Sequence, residues 1–564
     1  MNPHILSSSE TRRRRGFLAC NTCRERRTKC DGKRPKCTFC VERGKDCFYQ
    51  EAQDLPPTAL RAELSRLWEQ LDHITTVVQS QNPRNSSSRD VRKSSGPPTS
   101  QDASLEFPFM ILQSEAFMNL LGLDLSLPVL LEQIERGRQT ITAQAKGANI
   151  VMVDLEEASI HLQAFREHIH NWYPILHTDY IEDLIEARNS CFPTSVKSCL
   201  TLFVLAIGCV VGCESIAGVR QGRSESVYFT AAMDMLPCVF ADSSPWSAQC
   251  LLLLAIYHLC YAQPCQAHDF VAIASYKMQN YILNELDVND DTAEKALLAN
   301  CFWSALLIES EITVQLDLVN SEIWSIAPFV PAPTSQITWT WDPNPLSDPT
   351  IPTIDFSYFI AEIAMRKMLQ RCTWATSTLA DGSHIYAPIV ATELERQLDE
   401  WLQLLPSHLS FRPTSPAIEP HPQGSTTNVN SAQVAFLRAQ YFAFKVSIYW
   451  PAVYEALTVG EPNGELLRHS ESFFNSYAEF VPCAAAAVAV CRPNLWTLCT
   501  SVFTISMAAL VGLMEPCLAG VVSREVVNGL DLAVQVFDGV MQVSPSLAEM
   551  GAILKDRVQL YHSS

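Results

Sequence analysis

The chain has 564 residues, of which 48% are hydrophobic, and it carries a formal net charge of −19. Residues 1–50 hold thirteen basic and five acidic residues and are net +8, which leaves −27 for residues 51–564. A region as long and as acidic as 51–564 can bury one or two large cores, but nucleic acid would repel it. Only the N-terminus therefore has a composition suited to binding DNA.

The first fifty residues contain cysteines at the spacing C-x2-C-x6-C-x6-C-x2-C-x6-C. They are Cys20, Cys23, Cys30, Cys37, Cys40 and Cys47. Zinc prefers four tetrahedral ligands and binds thiolates readily. Because six sulfurs supply only three ligands to each of two ions, two sulfurs must be shared. The symmetric choice is the first cysteine of each half, Cys20 and Cys37, and the spacing predicts two Zn²⁺ per chain.

A disulfide framework and a metal-buffering peptide both fit these thiols less well than a zinc cluster does. A disulfide framework needs an oxidising compartment, and the N-terminal sequence MNPHILSSSETRRRR has no apolar segment of the kind found in a secretory signal. A metal-buffering peptide would not need the thirteen Lys and Arg residues between Arg12 and Lys45. Residues 12–47 hold these thirteen basic residues and four acidic ones, a formal charge of +9. Six thiolates and two zinc ions add −2, so the module would carry about +7, a charge typical of proteins that bind phosphate.

Residues 19–49, ACNTCRERRTKCDGKRPKCTFCVERGKDCFY, resemble the Zn2Cys6 binuclear-cluster DNA-binding domain of fungal transcription factors. The resemblance implies a short helix that begins in the first C-x2-C pair. In this family the residues at the positions of Arg26 and Arg27 reach base edges in the major groove, typically over a CGG triplet. Most members carry lysine there, whereas arginine can pair with guanine O6 and N7 through two hydrogen bonds.

Eight basic residues are candidates for contact with DNA. Those in the first metal loop are Arg24, Arg26, Arg27 and Lys29. Those in the run before the cluster are Arg12, Arg13, Arg14 and Arg15. We expect this second group to contact phosphate or to serve in nuclear import, because it lies outside the metal loops.

A heptad pattern follows the cluster, after a linker that ends in Pro56 and Pro57. Apolar residues recur at intervals of 4, 3, 4, 3 and 4, which predicts a helix with one apolar seam and Thr58 as a candidate N-cap. The seam consists of Leu60, Leu64, Leu67, Leu71, Ile74 and Val78. Its position after a binuclear cluster favours a dimer zipper. An amphipathic helix packed on its own chain remains open, since fewer than three heptads are present.

Helical spacing dominates the remainder of the chain, and strand alternation is scarce, so the sequence predicts a large all-α domain. Residues 414–430 and the proline-rich residues 328–352 are predicted to be surface loops. The predicted parts are a disordered basic arm (1–15), a Zn2Cys6 domain (16–50), a linker (51–57), a short coiled coil (58–81), a disordered linker (82–104) and an all-α regulatory domain (105–564).

Several segments of the predicted helical domain resemble the fungal transcription factor regulatory domain, also called the middle homology region. They are FREHIHNWYPILHTDYIEDLI from Phe165, NCFWSALLIESEITVQLDL from Asn300, ELERQLDEWLQLLPSHLSF around Trp401, and LRAQYFAFKVSIYWPAVY from Leu437, an aromatic helix expected to end in Pro451. The glutamate that follows the Phe-Trp pair by one turn is either Glu309 or Glu311. The order and spacing of the segments carry this resemblance.

Three further features of the helical region are predicted to be structural. Fourteen cysteines beyond the cluster lack any C-x2-C pair and are predicted to be mainly buried thiols. His161, His168, His170 and His177 lack cysteines or carboxylates placed to complete a metal site. Residues 493–514 carry no charge and are long enough to span a bilayer, but their Thr and Ser residues favour a buried core helix.

The common phosphate-loop, dinucleotide-binding, nucleophile-elbow and H-E-x-x-H signatures are missing, so no catalytic site is predicted. The sequence predicts a nuclear regulator of RNA polymerase II genes that binds double-stranded DNA as a homodimer, with the transcription machinery or co-regulators as partners and no membrane. The family implies control of a secondary-metabolite or nutrient pathway. An open alternative is a metabolite-sensing or enzymatic helical domain tethered to a DNA-binding module, and a small-molecule effector could bind between its helices.

Overall fold

The structure is a computed structural model. It describes residues 28, 36–45, 112, 115–138, 153–177, 180–213, 223–285, 293–316, 318–333, 356–376, 388–413 and 428–563. The chain divides into two compact units, Met1–Pro56 and Pro57–Ser564. The predicted coiled coil over 58–81 lies outside the described residues.

The described residues form helices and no strand. In the first unit the helix is α1 (Thr38–Glu42). In the second unit the helices are α2 (Glu115–Leu120), α3 (Leu127–Arg136), α4 (Leu155–Phe165), α5 (Tyr180–Asn189), α6 (Val196–Val211), α7 (Arg223–Asp234), α8 (Leu236–Ala241), α9 (Pro245–Cys260), α10 (Pro264–Glu285), α11 (Ala293–Gln315), α12 (Ser357–Thr376), α13 (Pro388–Leu404), α14 (Asn428–Val459), α15 (Gly464–Val490), α16 (Leu495–Met514), α17 (Arg524–Val540) and α18 (Pro545–Ser563). The predicted all-α class is confirmed.

Side-chain caps define where several of these helices begin. Asp154 caps α4 by accepting a hydrogen bond from the amide of Glu156 at 3.0 Å. Ser195 does the same for α6 through the amide of Ser198 at 3.1 Å. Each cap satisfies an amide that has no partner within its helix, which is worth about 1 kcal/mol.

Helices α6, α9 and α16 form the interior of the helical unit. Helix α6 packs on α4, α7 and α9, and Gly208 allows the backbones of α6 and α4 to approach closely. A Cβ placed on Gly208 would lie 2.1 Å from the carbonyl oxygen of His161. No side chain other than hydrogen fits at that position.

Three described helices, α11, α15 and α16, are long and apolar enough to cross a membrane by length and composition. At least half of the apolar window of each is buried inside the protein. In α16 the hydroxyls of Thr500 and Thr504 donate to the carbonyls of Trp496 and Thr500 at 3.0 and 3.1 Å. The Trp496 indole donates to Ser546 at 2.9 Å. The prediction of a buried core helix is confirmed for α16.

Two expectations about helix ends were wrong. Helix α14 continues through Pro451 to Val459, because buried residues on both sides of the proline, Trp450 and Ala452, hold the segment in the core. The same helix begins at Asn428, so the predicted loop over 414–430 ends earlier than expected.

The described cysteines of the helical unit follow the prediction of buried thiols in most cases. Nine of these thirteen cysteines are buried. Cys191 is an exception, because it lies exposed in a turn where its φ is +55°. The others that are not fully buried are Cys213, Cys238 and Cys517.

Candidate metal centre and DNA-binding module

The second half of the cysteine cluster is built on helix α1. Cys37 has an extended backbone, with φ −70° and ψ 153°, and forms the N-cap position of α1. Its carbonyl accepts a hydrogen bond from the amide of Val41 at 3.1 Å. Cys40 lies one turn later, and residues three apart share a helix face. The C-x2-C spacing therefore places both thiols on the same side of α1.

A tight turn closes α1 at residues 43–45. The amide of Gly44 donates to Val41 at 3.3 Å and the amide of Lys45 donates to Cys40 at 2.9 Å. Gly44 has a φ of +57°, a left-handed conformation that glycine adopts without strain. The turn needs glycine for its backbone conformation alone, because a Cβ on Gly44 would meet nothing within 4 Å.

Burial in this segment is confined to the two thiols. Within residues 36–45, Cys37 and Cys40 are 0% and 1% exposed and every other residue is half-buried or exposed. Val41 is exposed although it is apolar. Thiols at the centre of a segment without a hydrophobic core suit a module that is held together by metal. The described part of the cluster thus fits zinc.

The other predicted site residues lie outside the described residues. They are Cys20, Cys23, Cys30 and Cys47 of the cluster, all eight basic candidates for DNA contact, and the six residues of the heptad seam. Their roles stay predictions.

The described histidines and cysteines of the helical unit do not come together into a metal site. Among the residues that the structure describes, no group of three or more His, Cys, Asp or Glu side chains could hold a metal ion. His170 is buried against Phe165, and burial lowers its pKa to about 3. His258 bonds to the side chain of Gln263 at 2.7 Å, and burial lowers its pKa to about 4. Both histidines are neutral core residues near pH 7.

The two glutamates that the sequence left open have different surroundings. Glu309 accepts hydrogen bonds at 2.7 Å from the hydroxyls of Ser275 and Ser321 and from the amide of Ser321. These bonds fix α11 to α10 and to the segment after α11, so Glu309 is structural. Glu311 instead lines a cavity together with Arg366 and Gln440, two residues that the sequence analysis did not single out.

The chain combines a basic N-terminal module, which contains a cysteine pair spaced as in zinc sites, with an acidic helical unit. This combination is typical of one class of protein, the zinc-cluster DNA-binding regulators. The family model described as "Fungal Zn(2)-Cys(6) binuclear cluster domain" matches residues 18–55. The model described as "Fungal specific transcription factor domain" matches residues 162–322.

Curated relatives carry transcription-factor names. A protein of Aspergillus rugulosus with the name "Putative transcription factor ecdB" is 34% identical over 532 residues, which are 88% of this chain and 89% of that protein. Transcription factor FBD3 of Gibberella moniliformis is 42% identical over 52 residues, 9% of this chain and 7% of its own length. An ABC-transporter-regulating transcription factor of Aspergillus oryzae is 39% identical over 46 residues, 8% and 5% of the two chains. No solved structure matches significantly.

The chain belongs to the fungal Zn2Cys6 transcription factor family, because the match to the Aspergillus rugulosus protein extends over most of both chains. It is a DNA-binding transcription regulator. The cluster domain implies that it binds zinc.

Proposed function

We propose that this chain is a nuclear, non-catalytic regulator that binds paired CGG-like triplets as a homodimer. Its six N-terminal cysteines would hold two Zn²⁺ per chain, with Cys20 and Cys37 shared between the ions. The observation that carries this proposal is the turn from Cys37 to Lys45, where two thiols are the only buried groups of the segment.

The unequal distribution of charge along the chain supports separate roles for the N-terminal module and the helical unit. The cluster and its flanks are strongly basic, whereas residues 51–564 carry −27. Because DNA affinity depends largely on neutralised phosphates, the N-terminal module alone would contact the duplex. The acidic helical unit would instead meet the transcription machinery or co-regulators.

The predicted zipper would set the geometry of the binding site. Two cluster modules would leave one end of a parallel coil, and the linker over 51–57 would limit how far apart they reach. Each added base pair lengthens the gap and also rotates the second triplet around the duplex. The preferred spacing between triplets would therefore depend on the linker.

In vitro selection from random DNA with the full chain tests the proposal. We expect paired triplets at one spacing, and the double variant Leu64→Asp, Leu71→Asp should select single triplets because it disrupts the apolar seam. The matched control, Ser65→Asp with His73→Asp, adds the same two carboxylates at positions outside the seam and should still select pairs. Selection of isolated triplets by the wild-type chain would contradict dimeric binding.

A further inference from the structure

A cavity of about 60 Å³ lies inside the helical unit, lined by residues of α11, α12, α14, α15 and α16. Its walls are mainly apolar. The apolar lining residues include Met365, Leu369, Phe436, Phe444, Phe480 and Leu498. The polar lining residues are joined to one another: Thr497 donates to Glu311, and Gln315 donates to Ser501 at 2.8 Å. The cavity therefore combines an apolar wall with a connected polar wall.

Arg366 on the polar wall is shared by two carboxylates, that of Glu311, which also lines the cavity, and that of Glu362, which is not a lining residue. Arg366 lies 3.8 Å from a carboxylate oxygen of Glu311 and 3.4 Å from one of Glu362. All three side chains are largely buried, and burial raises the pKa of Glu311 and that of Glu362. Two carboxylates facing one guanidinium leave one negative charge uncompensated when both are ionised. Such an arrangement is costly unless a proton or a further positive group joins it, and the pKa of Glu362, raised by burial to about 7, shows that this carboxyl takes up the proton in the folded chain.

The same region contains buried oxygen atoms without a hydrogen-bond donor. They are Oε1 of Gln315, Oε1 of Gln440 and Oε2 of Glu362. The amide orientations are fixed by their partners: the Gln440 Nε2 group donates to Glu362 at 2.9 Å, and a flipped amide would place two acceptors together. Ser501 already donates to the carbonyl of Thr497, so it can only accept from Gln315. These buried oxygen atoms therefore lack hydrogen-bond donors.

Water could donate to these oxygens, but it would leave Glu362 partly protonated near pH 7, whereas a bound cation would allow both carboxylates to ionise. A primary ammonium group supplies three donors and one positive charge. The volume also limits the ligand, because a cavity of about 150 Å³ is known to hold benzene and this one is smaller. We propose that the cavity binds a primary alkylammonium group, either a short amine or the amine end of a longer compound, with its nitrogen among the oxygens of Glu311, Gln315 and Gln440. The site deepens the regulatory role proposed above by naming the chemical class of its effector.

Ligand-observed saturation-transfer NMR on the full chain tests the site with three probes of equal length: n-propylammonium, 1-propanol and propionate. We expect the ammonium probe to bind at least about tenfold more tightly than the alcohol, because its hydrogen bonds are charge-assisted, and propionate to show no transfer. Equal binding of the ammonium and the alcohol, or preferential binding of propionate, would overturn the proposal.

Three variants separate the cavity from nonspecific attraction to an acidic protein. Ala443→Leu places a larger side chain in the cavity wall and should remove binding of the ammonium and the alcohol alike. Glu311→Gln keeps the hydrogen-bonding shape and should remove the preference for the ammonium. Glu471→Gln, an exposed carboxylate on α15, is the control and should bind as the wild type does.

Melting curves show whether each variant folds. If Glu311→Gln does not fold, binding of the three probes to Ala443→Leu still tests the site. Undiminished ammonium binding in a folded Ala443→Leu variant would overturn the proposal. Because the assay contains no DNA, its failure leaves the proposed DNA-binding function standing, and a failed DNA selection leaves this site standing.

Discussion

The two units bury the same side chain, cysteine, for opposite reasons. Cys37 and Cys40 are buried in a segment whose apolar Val41 is exposed. Cys260 and Cys499 of the helical unit lie among apolar helices, where burial raises the pKa of each thiol to about 12. A thiol with such a pKa stays protonated and is a poor metal ligand. Spacing and surroundings, rather than the number of cysteines, distinguish a metal site from a hydrophobic core.

The comparison also separates two sources of stability. We expect the N-terminal module to depend on its metal for folding, because about forty residues cannot bury enough apolar surface to fold alone. The helical unit is stabilised by burial and by buried polar anchors between helices. Changes inside the helical unit should therefore reduce its stability while leaving the zinc content of the N-terminal module unchanged.

The largest expected effect comes from Glu135, a buried carboxylate that ties α3 to the start of α18. It accepts a hydrogen bond from Ser546 at 2.6 Å and pairs with Arg138 at 2.8 Å. Glu135→Ala should lower the free energy of unfolding by about 3–5 kcal/mol, because it leaves a largely buried guanidinium without its carboxylate. Urea unfolding with zinc analysis measures both quantities.

Glu132→Ala is the control for this change, because its ion pair with Arg136 at 2.7 Å is exposed and should be worth less than about 1 kcal/mol. A loss of zinc in Glu135→Ala, or equal destabilisation by the two variants, would contradict the separation of the units.

Gly208 gives the next largest effect. A Cβ there would collide with the backbone of α4, so Gly208→Ala should destabilise the helical unit by about 3 kcal/mol. Gly539→Ala, at a helical glycine with nothing within 4 Å, should instead stabilise the unit by about 0.5–1 kcal/mol. Thermal unfolding of both variants checks the difference, and a stabilising Gly208→Ala would show that the helices do not approach as described.

Glu362 makes stability depend on pH. Burial raises its pKa to about 7 from an ordinary value of 4.5, so the folded chain keeps a proton that the unfolded chain releases between those values. The free energy of unfolding should therefore fall as pH rises through this window, by at most about 3 kcal/mol from this group. Urea midpoints of the wild type and Glu362→Gln should show this pH-dependent difference. A difference that stays constant with pH would exclude Glu362 as the source.

The smallest expected effect concerns Arg27 in the N-terminal unit. If Arg27 reads a base, Arg27→Ala should cost about 1–3 kcal/mol on the selected site and much less on random DNA. Arg13→Ala removes the same charge outside the metal loops and should weaken binding to both DNAs equally. Competition binding measures both losses. Equal losses on the two DNAs for Arg27→Ala would remove this residue from base recognition.

Local patterns in the sequence were sufficient to predict some of these features. Cysteine spacing indicates the metal module because two thiols in a C-x2-C pair can bind one ion without help from distant parts of the chain, and the uncharged run of α16 indicates a core helix. The path of α14 through Pro451 was missed, because burial of the neighbouring Trp450 outweighs the lost hydrogen bond.

The cavity was missed for a different reason. Glu311 and Arg366 belong to separate helices, and only their packing brings the carboxylate and the guanidinium together. Nor could the sequence distinguish Glu309 from Glu311, because the difference lies in the serines that tertiary packing places around Glu309.

The most direct test of the central claim is DNA binding by the full chain before zinc removal, after it, and after zinc is restored. We predict two Zn²⁺ per chain by elemental analysis, and loss and recovery of binding to the selected site, while the thermal transition of the helical unit stays unchanged. A zinc-free chain that still binds the selected site in preference to random DNA would contradict the account.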